Sequence, residues 1–151
     1  ELEKIAKSSN TGQRADAPTV KQKTEIRVWG IDAPELGQKP WGDRSKKEMQ
    51  SLTGKKGSPI TLYVRDIDQY NRVVGQLYSG HLTKSQFTQS RDLGLQLVKA
   101  GEAVVYRRFN RDPAYQKAAE NAQAKALGIW STPGDQQDPG KWRQLNGRNV
   151  E

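Results

Sequence analysis

Asp32 and Glu35 stand three residues apart in Asp32-Ala33-Pro34-Glu35, directly after the strand-like run at residues 25–31 that carries Arg27. A turn with two carboxylates and a carbonyl offers the oxygen donors that a hard cation needs. A carboxylate beside a water nucleophile can also accept its proton. A solvated surface turn would use the same residue types, because Asp and Pro are common turn formers. A second group is Asp66-Ile67-Asp68-Gln69-Tyr70-Asn71-Arg72. Arg72 opens a strand behind an acidic turn, where its guanidinium can fork onto a phosphate or pair locally with Asp68. A third is Tyr106-Arg107-Arg108-Phe109-Asn110-Arg111. Arginines interleaved with aromatics suit phosphate neutralisation with base stacking, or an ordinary basic loop with its rings packed inward.

Other chemistries are excluded by composition. The 151 residues contain no Cys and a single His, His81. Disulfides, thiolate metal sites and Cys nucleophiles are ruled out, and a Ser-His triad is possible only around His81, which sits in a polar loop. The net charge of +8 points to a polyanionic partner or to a well-solvated surface. No run approaches the ~18 apolar residues of a membrane span. The apolar share is 33%, which predicts a compact domain of about 110–130 residues with polar ends. The chain opens on Glu1, as expected of a processed or trimmed form.

The elements that must position these groups follow from periodicity. Residues 25–31 alternate as a strand with Ile26 and Val28 on one face, ended by the Pro34 turn. A helix is predicted over 43–52, with Asp43 as N-cap and Gly54 as stop. Residues 59–64 and 72–78 read as a hairpin around the acidic turn, and 79–90 as a polar surface loop. A short helix spans 92–100 and an extended piece 103–106. Asp112-Pro113 marks a cap and first helical residue, with the helix running to 127 on an inner face of Tyr115, Ala118, Ala119, Ala122 and Ala126. Trp29, Trp41, Trp130 and Trp142 read as packing residues. Residues 131–151 read as a polar tail, pinned by Trp142. The order predicts an α+β domain with a small antiparallel sheet.

Together the pieces resemble the thermonuclease family, the staphylococcal-nuclease-like OB-fold nucleases. The resemblance is carried by Ile26-Arg27-Val28-Trp29-Gly30-Ile31-Asp32-Ala33-Pro34-Glu35, by residues 66–75, by residues 101–109, and by Asp112-Pro113 through Gly128-Ile129-Trp130, in family order. It covers about residues 25–130, with a weaker match at Trp142-Arg143. It implies a five-stranded antiparallel barrel with three helices over residues 1–130, and Ca²⁺-dependent hydrolysis of DNA and RNA, single- and double-stranded, without a covalent intermediate. By motif, Asp32 and the Ala33 backbone carbonyl would be calcium ligands. Glu35 would activate or orient the attacking water, and Arg27 and Arg72 would hold the phosphate and stabilise the charge growing in the transition state. Tyr106, Arg107, Arg108 and Phe109 would meet the nucleic acid. The Asp-Gly-Asp-Thr of the family's first strand is missing. Asn10 is its best-spaced counterpart and Asp16 the alternative carboxylate. A loop insertion is expected over 79–92. A monomer outside any membrane, exported by a bacterium to the periplasm or medium, is the expectation by resemblance. A nucleic-acid-binding module without cleavage, or a domain docking an acidic protein, are the competing readings.

Overall fold

The computed structural model describes residues 2–5 and 21–147, with side chains from residue 24 onward. Asn10 and Asp16 lie outside the described residues. Strand β1 (Leu2–Ile5) pairs antiparallel with β2 (Lys21–Thr24). Then come β3 (Ile26–Val28), β4 (Ile31–Asp32), α1 (Trp41–Thr53), β5 (Ile60–Ile67) and β6 (Val73–Ser79). They are followed by α2 (Leu93–Lys99), β7 (Val104–Val105), α3 (Pro113–Ala124) and α4 (Pro139–Asn146). The class is α+β, as expected. The details differ in two ways. Four α-helices are present among the described residues where three were expected. The strands form three small sheets, β1-β2, β3-β6-β5 and β4-β7, and β3 runs parallel to β6 rather than antiparallel. The parallel pair is possible because the whole of α1 and β5 lies between its strands, a connection long enough for a crossover.

The strand predicted over 25–31 divides at Trp29-Gly30. Gly30 has φ 76°, and any Cβ there would collide with the side chain of Asn110. Asn110 is fully buried and donates from Nδ2 to the Gly30 carbonyl at 3.3 Å. The chain therefore leaves the β6 neighbourhood, where Trp29 N–H bonds the Gly75 carbonyl, and joins β7, where the Gly30 carbonyl accepts from Tyr106 N–H. This corner places Arg27 on one sheet and Asp32 on another.

The core sits around α2. Leu95, Leu97 and Val98 pack with Tyr115, Ala118 and Ala119 of α3, together with Ile31 and Ala103. Small alanines let α3 approach α2 closely. Ala126, expected on this inner face, is exposed. The helix ends at Ala124 because Ala126 turns to φ 52° and the Ile129 N–H bonds the Gly101 carbonyl, pulling the chain away from the helix axis. Asp92 caps α2 by accepting from Leu95 N–H, and it also accepts from the Tyr115 hydroxyl at 2.6 Å. Burial pushes the Asp92 carboxyl above its ordinary range, while the Tyr115, Leu95 and Gln76 hydrogen bonds pull it back. Tyr115→Phe removes one of those bonds from a buried carboxyl, and is expected to cost about 1–3 kcal/mol of stability in urea unfolding.

Helix α1 begins at Trp41 rather than Asp43. Its N-cap is Pro40, and Asp43 instead pairs with Lys39 at 2.7 Å across the first turn. Gly54 ends it, as expected. In the 79–90 segment, two 3-10 turns carry Phe87 onto Tyr78, with ring centroids 4.0 Å apart. The loop is thus fastened to the sheet. Within 131–151, the expected polar tail, residues 139–146 form α4. Asp138 caps it by accepting from Lys141 N–H, and Pro139 occupies its first turn, buried. Among the described residues no helix is long and apolar enough to cross a membrane.

Candidate active site

Asp32 ends β4, its register partner Val104 of β7 fixing the strand beside it. Glu35 follows the Ala33-Pro34 turn and is held by an amide that the sequence reading passed over. The Gln38 side chain accepts from Glu35 N–H at 2.9 Å and donates to the Asp135 carbonyl at 3.1 Å. Gln38 is 5% exposed, so its two hydrogen bonds are largely shielded from water. Gly42, in the first turn of α1, lies so close that a Cβ would overlap the Glu35 carbonyl. Backbone, amide and helix thus set the Glu35 position together.

The two carboxylates converge on Arg143 of α4. Its Nη1 donates to Asp32 Oδ1 at 2.9 Å and to Glu35 Oε1 at 3.1 Å, and its Nη2 donates to Asp32 Oδ2 at 2.6 Å. The Asp32 bonds, opposed by burial, hold the guanidinium even more firmly protonated than a free arginine. The side chains of Asp32, Arg143 and Glu35 are 12%, 24% and 33% exposed, so the cluster stands at the surface edge.

Arg27 and Arg72 form a second cluster. Ile26 and Arg27 register against Val73 and Val74, which brings the two arginines to one end of the β3-β6 pair. Arg72 Nε donates to Asp68 Oδ2 at 2.8 Å, and its Nη1 lies 3.5 Å from Glu25 Oε1. Asp68 Oδ1 also accepts from the Tyr70 and Arg72 backbone N–H groups. Desolvation raises the Asp68 carboxyl, but the Arg72 hydrogen bonds and the charges of Arg72 and Arg27 together hold it below the ordinary range. The turn-bridging pair anticipated as one use of Arg72 is therefore present. It holds the guanidinium in place with 31% of the side chain exposed. Arg27 lies over the Tyr106 ring, 5.6 Å from its centroid. Among the described residues no hydrogen bond or ion pair joins Arg27 or Arg72 to Asp32 or Glu35.

Tyr106 links the two clusters. It carries Arg27 on its ring and also lines, with Asp32, Arg107, Trp130, Lys141 and Arg143, a groove of about 830 Å³. Beyond it, Phe109 is 62% exposed, tilted against Tyr106 and covered by Arg108. Arg107 and Arg108 are exposed. The aromatic-basic segment thus faces solvent rather than packing inward. His81 is exposed in its loop.

Asp32, Glu35 and the Ala33 carbonyl offer oxygen donors only, the type a hard divalent cation takes. Among the described residues no cluster of three or more Asp, Glu, His or Cys is present. The two negative charges are met by Arg143. Sequence reasoning gave Arg143 no role. A signal for its helix existed in Asp138-Pro139, the same cap-and-proline pair read correctly at Asp112-Pro113.

Residues 25–132 match the family model described as staphylococcal nuclease homologue. An uncharacterized endonuclease of Haemophilus influenzae is 33% identical over 126 residues, covering 83% of this chain and 64% of that protein. The micrococcal nuclease of Shigella flexneri is 30% identical over 137 residues, covering 89% of this chain and 76% of that protein. The probable staphylococcal-like nuclease CAN2 of Oryza sativa subsp. japonica is 32% identical over 130 residues, 86% of this chain and 32% of its own length. The chain thus spans just under two thirds of the Haemophilus protein and about a third of the rice protein. With its acidic pair, its two fixed guanidiniums and its aromatic-basic segment all inside or bordering the matched region, the chain belongs to the staphylococcal nuclease family.

Proposed function

We propose that the protein is a Ca²⁺-dependent nuclease that hydrolyses phosphodiester bonds of DNA and RNA by water attack, with little sequence preference, on an OB-type five-stranded barrel. The observation that carries this reading is the convergence of Asp32 and Glu35 on Arg143, with Asp32 on a groove of basic and aromatic walls whose Tyr106 also stacks under Arg27, the strand neighbour of Arg72. The names of the Haemophilus and Shigella relatives support it.

In this reading Glu35 takes the proton of the attacking water as its oxygen bonds to phosphorus. The opposite P–O bond breaks, and the leaving oxygen departs with its electron pair and is protonated from solvent. Negative charge grows on the equatorial phosphoryl oxygens in the transition state. Arg27 and Arg72 meet that charge with donors fixed beforehand by Tyr106 and by Asp68, so little reorganisation is needed. Asp32 and the Ala33 carbonyl would hold calcium, with Asn10 or Asp16 as a further oxygen donor. Bound there, calcium supplies Lewis-acid polarisation of a phosphoryl oxygen and a more acidic water. Phe109, Tyr106, Arg107 and Arg108 offer stacking faces and phosphate contacts that ignore base identity.

The competing reading is a nucleic-acid-binding module that has lost cleavage. It is favoured by Arg143, which already neutralises Asp32 and Glu35. Digestion of plasmid and single-stranded DNA with calcium and with EGTA separates them. Calcium-dependent cleavage is expected, at a pH between neutral and strongly alkaline. Salt-sensitive DNA binding with no cleavage at any pH in that range would establish the binding module instead.

A further inference from the structure

The Arg143 fork takes both oxygens of Asp32 and one of Glu35. A bidentate guanidinium lies in the plane of the carboxylate it grips, along the same lone-pair directions that a hard cation uses. Its full positive charge would also repel a divalent ion seated beside Asp32. The fork and such an ion therefore exclude each other at this carboxylate.

Helix α4 does not depend on Arg143 for its place. Asp138 caps it and Pro139 is buried beneath it. Just ahead, Gln136 is 6% exposed and donates to the Ile129 and Thr132 carbonyls, and Gln38 holds the Asp135 carbonyl. The helix is thus a fixed mount, while the arginine is a long arm at its surface, opening onto the groove. Arg107 and Lys141 line the same groove, so the released arm stays among groups that attract phosphate.

We propose that Arg143 is an internal counter-cation of the Asp32–Glu35 pair that a divalent cation must displace, so that its side chain sets the cation affinity of the site. The inference rests on the calcium reading above. It goes beyond that reading in giving a residue outside the catalytic set a defined effect of defined sign. Removing Arg143 strengthens cation binding, whereas a residue that merely steadied the two carboxylates would weaken it on removal.

The test is calorimetric titration of calcium chloride into the full chain, as wild type, Arg143→Gln, Arg143→Lys and Lys141→Gln, each shown to be folded by thermal melting in EDTA. Arg143→Gln is expected to tighten calcium binding by about tenfold, within the range of ordinary site–site couplings. Arg143→Lys keeps the charge but loses the fork, and is expected to fall between it and wild type. It decides the matter if the Gln variant does not fold. Lys141→Gln removes an equal charge from the same helix without touching Asp32, and is expected to shift affinity by less than about twofold. Unchanged or weaker binding in the Arg143 variants overturns the proposal and leaves the nuclease reading standing. So does equal tightening in Lys141→Gln, which would be a net-charge effect. Absence of binding in wild type and variants alike overturns both.

Discussion

Glu35→Gln lowers kcat for single-stranded DNA hydrolysis by about 10²–10⁴-fold, the usual worth of a positioned general base. The Kd of the same strand in EGTA moves by less than about twofold, on the scale of a surface charge. The asymmetry follows from what the substitution keeps. Gln has the shape of Glu and retains an oxygen that can accept from Arg143 Nη1. The Glu35 backbone N–H still donates to Gln38, and the two Asp32 bonds to Arg143 are untouched. The loop and the groove therefore stay in place. What disappears is the ability to take a proton from water, because an amide oxygen is too weak a base. Removing a negative charge near an incoming phosphate would, if anything, tighten binding slightly. Single-turnover kinetics together with fluorescence anisotropy in EGTA give the two numbers. An unchanged kcat would remove Glu35 from the chemistry. Equal losses in rate and affinity would instead mean that the loop had collapsed.

Such an experiment can be designed from a single sequence because local signals marked the elements that carry the candidate groups. The run at 25–31, the Pro34 turn and the Asp112-Pro113 cap are short-range features, and each appears in the structure close to where it was read. What was not legible depends on distant partners. Gly30 divides its strand because Asn110, 80 residues later, fills the space a side chain would need. Gln38 ties Glu35 to Asp135, 97 residues away. Nothing within a few residues of Gly30 or Gln38 carries that information. Helix α4 is a different case. Its Asp138-Pro139 start was written locally, but the polar, Gln-rich stretch around it lacks the apolar periodicity that marks a buried helix face. The helix is held instead by a cap and one buried proline, which hydropathy does not register.

The second large effect concerns the guanidiniums. Arg72→Ala is expected to lower kcat by about 10²–10³-fold, the scale measured for removal of one preorganised donor to a developing oxyanion. Arg27→Ala is expected to fall in the same range, and both should lower kcat more than they raise KM. The reasoning lies in how each is held. Asp68 grips Arg72 Nε and Glu25 stands 3.5 Å from Nη1, so a phosphate would be met by Nη2 and by Nη1 in exchange for Glu25. The Tyr106 ring lies beneath the Arg27 guanidinium, its centroid 5.6 Å away, and restricts where the guanidinium can swing. Donors fixed in this way gain most when negative charge is greatest, which is in the transition state rather than in the bound ground state. Lysine should not restore activity at position 72. It keeps the charge but lacks the Nε that Asp68 holds and the paired Nη groups that would remain for the phosphate. Substitution of the exposed Arg108 should behave oppositely, weakening affinity and its salt dependence with kcat nearly unchanged, since its contact would be to a distant phosphate in both states. Steady-state kinetics at two salt concentrations distinguish the pattern. If Arg72→Ala changed KM alone, its guanidinium would be attracting the backbone without touching the reacting phosphoryl group, and the site would have to be centred on Asp32, Glu35 and Arg27.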